Sequence, residues 1–214
     1  MCLKTQSKGY LMFTGLIREI AVVKNYRNNI LTIQSKHKAN IGDSIAINGV
    51  CLTVIKVNSD GFDLELSDET RSIIDKSKIS GKVHIEPAMQ LNDRFEGHIV
   101  QGHIDCVGEV EKIIRRENAT DFIIKVEPEY IRYIIPKGSI TIDGVSLTVN
   151  DVYSSSFRLT IIPHTLQETL IGEYKIGSKV NIETDLFARY IEHILQYKNN
   201  NISWSEIDRI QMSY

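Results

Sequence analysis

The chain has little cysteine, and no two of its cysteines have the spacing of a paired motif. Its 214 residues include only Cys2, Cys51 and Cys106. An odd number of thiols without CxxC spacing argues against a disulfide framework and against a zinc site built on cysteine pairs. Free thiols persist in reducing compartments, so we expect the protein to be cytoplasmic.

The chain also lacks an excess of charge and a long apolar run. It has 25 lysines and arginines against 27 aspartates and glutamates, so nothing indicates a nucleic-acid partner. No stretch approaches the ~18 apolar residues of a membrane-spanning helix, and we expect no membrane contact. Residues 1–11 lack the apolar centre of a signal peptide. They lie outside the repeats described next, so we expect an N-terminal extension, with Met1 or Met12 as the start.

What the chain does contain is one sequence pattern present twice. Residues 44–54 read SIAINGVCLTV and residues 139–149 read SITIDGVSLTV, with eight of eleven positions identical at an offset of 95. The match extends outward, since GKVHIE at 81–86 corresponds to SKVNIE at 178–183. A long period with two copies predicts tandem domains of about ninety residues each, which we place at 12–97 and 98–184.

The local pattern within each repeat predicts strands. Short β-branched runs such as LTIQS, SIAI, CLTVIKV and FDLEL alternate with turn material, and the second copy repeats them as FIIKVE, SITI, SLTVNDV and FRLTII. This spacing is typical of small closed barrels, so we expect an all-β protein with two barrels. The Asn48-Gly49 and Asp143-Gly144 pairs predict tight hairpin turns. EYIRYII predicts a short helix between strands.

One segment at the end of the second repeat has helical periodicity. An apolar stripe recurs at steps of three and four in TDLFARYIEHILQYK, formed by Leu186, Phe187, Tyr190, Ile191, Ile194, Leu195 and Tyr197. We predict an amphipathic helix over 185–198, capped by Thr184 or Asp185, and a polar tail over 199–214. Because the first repeat has no counterpart, this helix is expected to cover a barrel, another subunit, or both.

Taken together, these strings resemble a known family. MFTGLI, INGVCLTV, GHIVQGHID, IDGVSLTV, IIPHTL and a terminal VNIETD followed by a helix are similar to riboflavin synthase of the alpha chain type, over residues 12 to about 198. The resemblance implies two six-stranded Greek-key barrels, a homotrimer held by the C-terminal helices, and neither a metal nor an organic cofactor. It also implies the final step of riboflavin biosynthesis. In that reaction two molecules of 6,7-dimethyl-8-ribityllumazine dismutate by four-carbon transfer to riboflavin and 5-amino-6-(D-ribitylamino)uracil.

The duplication suits this chemistry because identical substrates favour similar half-sites. The opposite roles of donor and acceptor require the half-sites to differ, and the repeats diverge at Cys51 against Ser146 and at Ala88 against Asp185. The C7 methyl of the lumazine is a carbon acid, so the protein has to remove a proton and hold the pair. Orientation of two reactants can contribute on the order of 7–11 kcal/mol.

Catalytic candidates follow from the resemblance, and each has a simpler alternative. They are Cys51, Ser146, His103, Lys137, Asp143 and Asp185. Cys51 and Ser146 are candidates for nucleophilic addition or proton shuttling at C7, and His103 for proton transfer. The alternatives are a core cysteine, a satisfied histidine, a solvated lysine, a turn aspartate and a helix cap. His98 and His103 lie on opposite faces of a regular strand, so we expect no metal site.

The resemblance also predicts one ligand cradle for each barrel. The N-terminal cradle is assigned Gly15, Leu16, Ile17, Ser44, Cys51, Leu52, Thr53, Glu65, Leu66, Ser67, Asp68, Glu69 and Thr70. The C-terminal cradle is assigned Gly102, His103, Ile104, Lys137, Ser146, Leu147, Thr148, Thr160, Ile161, Ile162, Pro163, His164 and Thr165. In the family, the productive site combines the N-terminal barrel of one subunit with the C-terminal barrel of its neighbour.

Two other functions remain open at the level of sequence. One is a noncatalytic lumazine or flavin carrier on the same duplicated scaffold, and the other is a β-barrel interaction module. The presence of Cys51, Ser146, His103, Lys137 and Asp185 together with the apolar C-terminal helix favours catalysis. An interaction module would not explain why polar residues recur at equivalent strand positions.

Overall fold

The computed structural model describes residues 12–201, which form two closed antiparallel barrels and a C-terminal helix. The first barrel consists of β1 (Glu19–Arg27), β2 (Ile30–Gln34), β3 (Ser44–Ile47), β4 (Val50–Asn58), β5 (Gly61–Glu65) and β6 (Lys82–Pro87). The second consists of β7 (Cys106–Arg115), β8 (Thr120–Lys125), β9 (Ser139–Ile142), β10 (Val145–Val152), β11 (Ser156–Ile161) and β12 (Lys179–Thr184). The predicted pair of six-stranded barrels is confirmed. The predicted domain boundary at 97 and 98 falls in the connection between β6 and β7.

Both barrels have the same strand order. Going around the first barrel, the order is β1-β2-β5-β4-β3-β6, and the second repeats it with β7 to β12. The fourth strand of each β3-β4-β5-β6 or β9-β10-β11-β12 set returns to lie beside the first, which is the Greek-key arrangement. The internal duplication of the sequence is therefore a duplication of topology.

Short helices fill the connections. They are α1 (Asp68–Ile73), α2 (Pro128–Ile131) and α3 (Pro163–Glu168), with 3-10 turns at Lys76–Ile79 and Leu170–Glu173, and the chain ends in α4 (Leu186–Asn201). The predicted helices in EYIRYII and after residue 185 are present as α2 and α4. Helix α4 continues to Asn201, so residues 199–201, predicted as the start of the tail, belong to the helix. Within residues 12–201, none of the helices has the length and apolar composition of a membrane span. The predicted extension at 1–11, residues 202–214 of the predicted tail, and the side chain of Tyr197 lie outside what the structure describes.

Each barrel has its own apolar core. Strands such as β2 alternate buried and exposed side chains, as period-two geometry requires. Phe62 and Phe157 occupy equivalent positions in the two repeats, and both are fully buried. The two cores are separate clusters, so each repeat buries its own apolar surface.

The barrels meet at their two equivalent hairpin turns. Asn48 and Asp143 both have φ of 46°, followed by Gly49 at 81° and Gly144 at 83°. Positive φ at both central residues is the type I′ geometry that Asn-Gly and Asp-Gly favour, so the predicted turns are confirmed. A Cβ on Gly49 would lie 2.7 Å from the Gly144 nitrogen. The two turns therefore pack backbone against backbone.

Candidate functional site

Two short segments of the chain contact both barrels. We call residues 12–18 the first leading segment and residues 98–105 the second leading segment, because each precedes the first strand of its barrel. They run side by side, since Phe13 and Val100 pair through two backbone hydrogen bonds of 2.8 and 3.1 Å. The two leading segments are thus in register with each other at the centre of the molecule.

Each leading segment contacts the opposite barrel. The Ser146 amide donates to the Gly15 carbonyl at 2.8 Å, and the Cys51 amide donates to the Gly102 carbonyl at 2.9 Å. Ile17 packs against the core of the second barrel and Ile104 against the core of the first. The sequence grouped Gly15, Leu16 and Ile17 with Cys51, and Gly102, His103 and Ile104 with Ser146. The structure instead places Gly15 against Ser146 and Gly102 against Cys51, so at these two glycines the leading segments cross to the opposite barrel.

Glycine is required at both crossing points. Gly15 and Gly102 have φ of 78° and 77°. A Cβ on Gly15 would lie 2.5 Å from the Ser146 Cβ, and one on Gly102 would lie 2.6 Å from the Cys51 Cβ. These distances are far below van der Waals contact, so each candidate nucleophile has a leading-segment backbone directly against it.

Cys51 opens into a cleft of 480 Å³. The cleft is lined by Val50, Cys51, Glu69, Thr70, Ile73, Ile74, Gly102, His103 and Ile104. This size and mixed lining suit a small organic molecule. The structure thus brings together six residues predicted to bind ligand, although they were assigned to different cradles: Cys51, Glu69, Thr70, Gly102, His103 and Ile104.

The Cys51 thiol is not a preformed thiolate. Burial raises its pKa, and the charge of Glu183 adds to this effect while a hydrogen bond with Ser44 opposes it. A thiol with a raised pKa holds its proton at neutral pH and reacts as a nucleophile only after a base removes it. Thr53, two residues further along β4, is exposed on the same face of the strand.

Helix α1 directs Thr70 to the cleft. The Ser67 hydroxyl caps the helix by accepting from the Thr70 amide at 3.1 Å, and it lies 2.9 Å from the Thr70 hydroxyl. Glu65 and Asp68 are exposed near this end of the barrel, and Leu16 is half-buried. The side chains of Leu52, Leu66 and Ile161 lie in the cores instead. Any contact of these three residues with a ligand must therefore involve their backbone.

Ser146 has a different partner from Cys51. Its hydroxyl lies 2.7 Å from Nδ1 of His98, whose side chain is 8% exposed. Burial lowers the pKa of His98, and the charge of Asp185 opposes this effect. The imidazole is therefore neutral near pH 7 and can exchange a proton with the Ser146 hydroxyl. Sequence reasoning missed His98 because the contact spans 48 residues.

Asp185 lies near the Ser146–His98 pair, and His103 lies in the Cys51 cleft. The Asp185 carboxylate accepts from the amides of Phe187 at 2.8 Å and Ala188 at 3.4 Å, so the predicted cap of α4 is confirmed. His103 is exposed, lines the Cys51 cleft, and donates its backbone amide to Glu183. Its predicted proton-transfer role stays a prediction, at the cleft opposite to the one expected.

Other residues assigned to the C-terminal cradle lie around the ends of β10 and β11. The Lys137 amide donates to the Val149 carbonyl at 2.8 Å, which places the exposed Lys137 beside the exposed Thr148. The Thr160 hydroxyl is already bonded to Asp121 at 2.8 Å and to Arg158 at 2.8 Å. Leu147 and Thr165 are half-buried, and Ile162, Pro163 and His164 are exposed at the start of α3.

Asp143 lies elsewhere, among the contacts that join the barrels. Its side chain is 1% exposed and accepts from the Lys78 ammonium at 2.7 Å, the Asn181 amide at 2.8 Å and the Tyr174 hydroxyl. Its backbone carbonyl lies 2.8 Å from Nδ1 of His84. Both carboxylate oxygens are therefore occupied by protein donors, and the structure does not bring Asp143 to Ser146.

Among residues 12–201, no three histidine, cysteine, aspartate or glutamate side chains are arranged as metal ligands. The candidate chemistry lies in two comparable places. One is the Cys51 cleft of the first barrel and the other is the Ser146–His98 pair of the second. A glycine from the leading segment of the other repeat covers each place, while His98 belongs to the second leading segment itself.

Comparison with protein families gives one matching model, described as the lumazine binding domain. It matches twice, at residues 14–88 and 101–185. Each match spans one barrel together with most of its leading segment. The duplication read from the sequence is therefore also a duplication of this domain.

Several curated relatives match over most of the chain. A riboflavin synthase of Actinobacillus pleuropneumoniae is 45% identical, with 87% of this chain and 91% of the relative covered. Riboflavin synthases of Photobacterium phosphoreum and Bacillus subtilis (strain 168) are 41% and 38% identical, covering 92% and 94% of this chain and 98% of each relative. A crystal structure of LumP complexed with riboflavin shares the fold at a TM-score of 0.71 and 21% identity, over 81% of this chain and 99% of that one.

Proposed function

Because this chain belongs to the riboflavin synthase family, we propose that each barrel binds one 6,7-dimethyl-8-ribityllumazine and that the two bound molecules react with each other. The reaction is a dismutation in which one lumazine transfers a four-carbon unit to the other. It yields riboflavin and 5-amino-6-(D-ribitylamino)uracil, so the enzyme is a transferase. The observation that carries the proposal is the pair of equivalent strand positions, Cys51 and Ser146, each covered by a glycine of the other repeat.

The two half-sites differ in the way that donor and acceptor roles require. The Ser146 hydroxyl has a neutral imidazole beside it, so this half accepts a proton when the substrate C7 methyl or its adduct loses one. The Cys51 thiol has a raised pKa and is hydrogen-bonded to the Ser44 hydroxyl instead of to an imidazole, so this half holds a proton. We propose that the Ser146–His98 pair is the proton-accepting half-site. The stoichiometry needs no oxidant or reductant, because the two products contain all the atoms of the two substrates.

Orientation supplies much of the remaining rate. A reaction between two identical bound molecules gains from fixing them face to face, on the order of 7–11 kcal/mol when the geometry is close to attack. The leading segments present backbone groups beside both half-sites, and Thr53 and Thr148 extend the same strand faces. These groups are suited to hold the pyrimidine edges and to stabilise the developing anion.

We further propose a homotrimer assembled through α4. Five apolar side chains of this helix are more than half exposed in the single chain: Phe187, Tyr190, Ile191, Ile194 and Leu195. A continuous apolar patch of this kind marks a protein interface. In the trimer, the productive site combines the N-terminal barrel of one subunit with the C-terminal barrel of its neighbour. We place the enzyme in the cytoplasm, since Cys51 and Cys106 are both free thiols.

The test is turnover by the purified protein without any additive. Incubation with 6,7-dimethyl-8-ribityllumazine should give one riboflavin for every two lumazines consumed, measured by chromatography with absorbance detection. Cys51→Ser should lower the rate much more than the affinity. Cys106→Ala is the matched control, because Cys106 is 7% exposed and packs in the core of the second barrel. Stoichiometric binding with no riboflavin formed would identify a carrier instead of an enzyme.

A further inference from the structure

A buried glutamate holds the first leading segment. Glu86, on β6, is 4% exposed, and both of its oxygens accept hydrogen bonds. One oxygen accepts from the Thr14 amide at 2.7 Å and the Thr14 hydroxyl at 2.9 Å, and the other accepts from the Gly15 amide at 3.0 Å. This carboxylate therefore fixes the two residues that lead to the crossing point at Ser146.

An equivalent glutamate holds the second leading segment. Glu183, on β12, is 2% exposed, and it ends the SKVNIE string as Glu86 ends GKVHIE. One oxygen accepts from the Gln101 amide at 2.8 Å, and the other accepts from the amides of Gly102 at 2.8 Å and His103 at 3.1 Å. The second repeat thus reproduces the clamp of the first with other side chains around it.

The donor set explains why a carboxylate is needed at both positions. Every protein group directed at these oxygens within bonding distance is an N–H or O–H donor, and only an ionised carboxylate offers acceptors on both oxygens. A glutamine would place its own NH2 donors against a backbone N–H. Burying a charge is costly, so two buried glutamates at equivalent positions indicate that a specific backbone conformation is being held.

The held residues sit at the crossing points. Gly15 and Gly102 both adopt left-handed φ, and their carbonyls accept the amides of Ser146 and Cys51. Each clamp therefore acts on one barrel from the other. Glu86 belongs to the first barrel and acts beside Ser146 of the second, and Glu183 belongs to the second barrel and acts beside Cys51 of the first.

We infer that Glu86 and Glu183 are positioning residues that shape the half-sites crosswise. Glu183 sets the position of Gly102 over the Cys51 cleft, and Glu86 sets the position of Gly15 over Ser146. The link to turnover rests on the proposed function. The crosswise pairing does not rest on it, because each carboxylate holds its segment whether or not the protein catalyses a reaction.

Electrostatics support this pairing for Glu183. Its charge contributes to the raised pKa of Cys51, so the carboxylate and the thiol interact electrostatically across the barrel boundary. Burial raises the pKa of Glu183 itself to about 7, against the amides of Gln101 and Gly102 and the charge of Arg189, while the charge of Asp105 adds to the rise. The ionised form is the one that accepts all the bonds, so the clamp weakens as the pH falls through this value.

Alkylation of Cys51 by iodoacetamide tests the inference without requiring turnover. Peptide mass spectrometry separates Cys51 from the other cysteines. Glu183→Ala and Glu183→Gln should speed the alkylation of Cys51 roughly tenfold, the equivalent of one charge-assisted hydrogen bond, because the cover loosens and the nearby charge is lost. Glu86→Ala and Glu86→Gln should leave the rate at Cys51 unchanged. Riboflavin formation by the wild-type protein tests the proposed function separately.

The reciprocal measurement uses a thiol introduced by Ser146→Cys. In that background the Glu86 variants should speed alkylation at position 146, and the Glu183 variants should not. Thr14→Val removes one donor to Glu86 and keeps the carboxylate, so it should give a smaller change at position 146 only, even where the Glu86 variants do not fold. Glu109→Gln is the matched control, because Glu109 is half-exposed and pairs with Lys179 on the surface. Equal changes at both reporters, or changes confined to the barrel that carries the altered glutamate, would overturn the inference.

Discussion

Replacing Asp143 separates a structural role from a catalytic one. In Asp143→Asn the side chain keeps its shape and its tolerance of positive φ, as Asn48 shows at the equivalent turn. The remaining oxygen can still accept from the Asn181 amide. The ion pair with Lys78 is lost, and the new amide group faces the donors of Lys78 and Tyr174. The substitution therefore removes a buried charge and leaves its partner.

The expected cost follows from burial. Breaking a buried ion pair by removing one partner costs about 3–5 kcal/mol. The Lys78 side chain keeps 15% exposure and lies over the Tyr174 ring, so we expect the lower end, about 3 kcal/mol. Adding Lys78→Met to the same chain removes the unpaired charge, and the double variant should recover a large part of this loss.

Urea unfolding followed by circular dichroism measures these changes as shifts in midpoint at constant slope. Asp60→Asn is the matched control, because Asp60 pairs with Lys24 on the surface with both side chains more than 40% exposed. An exposed pair contributes about 1 kcal/mol or less. A fully stable Asp143→Asn protein that forms no riboflavin would refute this reasoning and show that Asp143 acts in the chemistry.

Three further changes test other parts of the structure. Gly102→Ala should abolish ligand binding at the cleft, measured by calorimetry, because its Cβ would lie 2.6 Å from that of Cys51. Gly42→Ala is the control and should bind normally, because Gly42 also has a positive φ, 92°, but has open space around it. Equal losses of binding in the two variants would contradict the packing of Gly102 against Cys51. Burial lowers the pKa of His84 below 6.5, so its neutral form stabilises the fold above that pH, and this stability is lost as the pH falls through the folded pKa. His84→Gln should therefore reduce the loss of unfolding free energy at acid pH, measured by urea titrations. An unchanged loss would exclude His84 as its cause. Ile191→Glu should convert the proposed trimer into monomers that still bind ligand but hardly turn over, with the mass measured by light scattering. An unchanged mass would exclude α4 as the interface.

Much of the fold could be predicted because the sequence contains the pattern of one barrel twice. The repeat fixed the number of barrels, and local chemistry at Asn48-Gly49 and Asp143-Gly144 fixed the turns. These are short-range signals, in which turn type follows from the residues that occupy the turn. The start of α4 could be predicted for the same reason, because an aspartate before an apolar stripe is a local capping pattern.

The site could be predicted less well from the sequence, because its contacts join residues that are far apart in the chain. Cys51 and Ser146 could be found by comparing repeats, but no local pattern shows that each leading segment crosses to the other barrel. The contact of His98 with Ser146 likewise depends on how the barrels pack. Glu86 and Glu183 did carry a signal, because both end a string that the repeats share. That signal indicated a strand and gave no indication that the strand ends in a clamp.

We propose that one chain offers two comparable binding places, one in each barrel. Calorimetric titration with a ribityllumazine that carries an oxo group in place of the C7 methyl measures this directly, because such a ligand cannot form the carbanion and does not turn over. We predict two molecules bound for each polypeptide, with Gly102→Ala removing one of them. A single bound molecule for each polypeptide in the wild-type protein, with the other barrel empty at saturation, would contradict it.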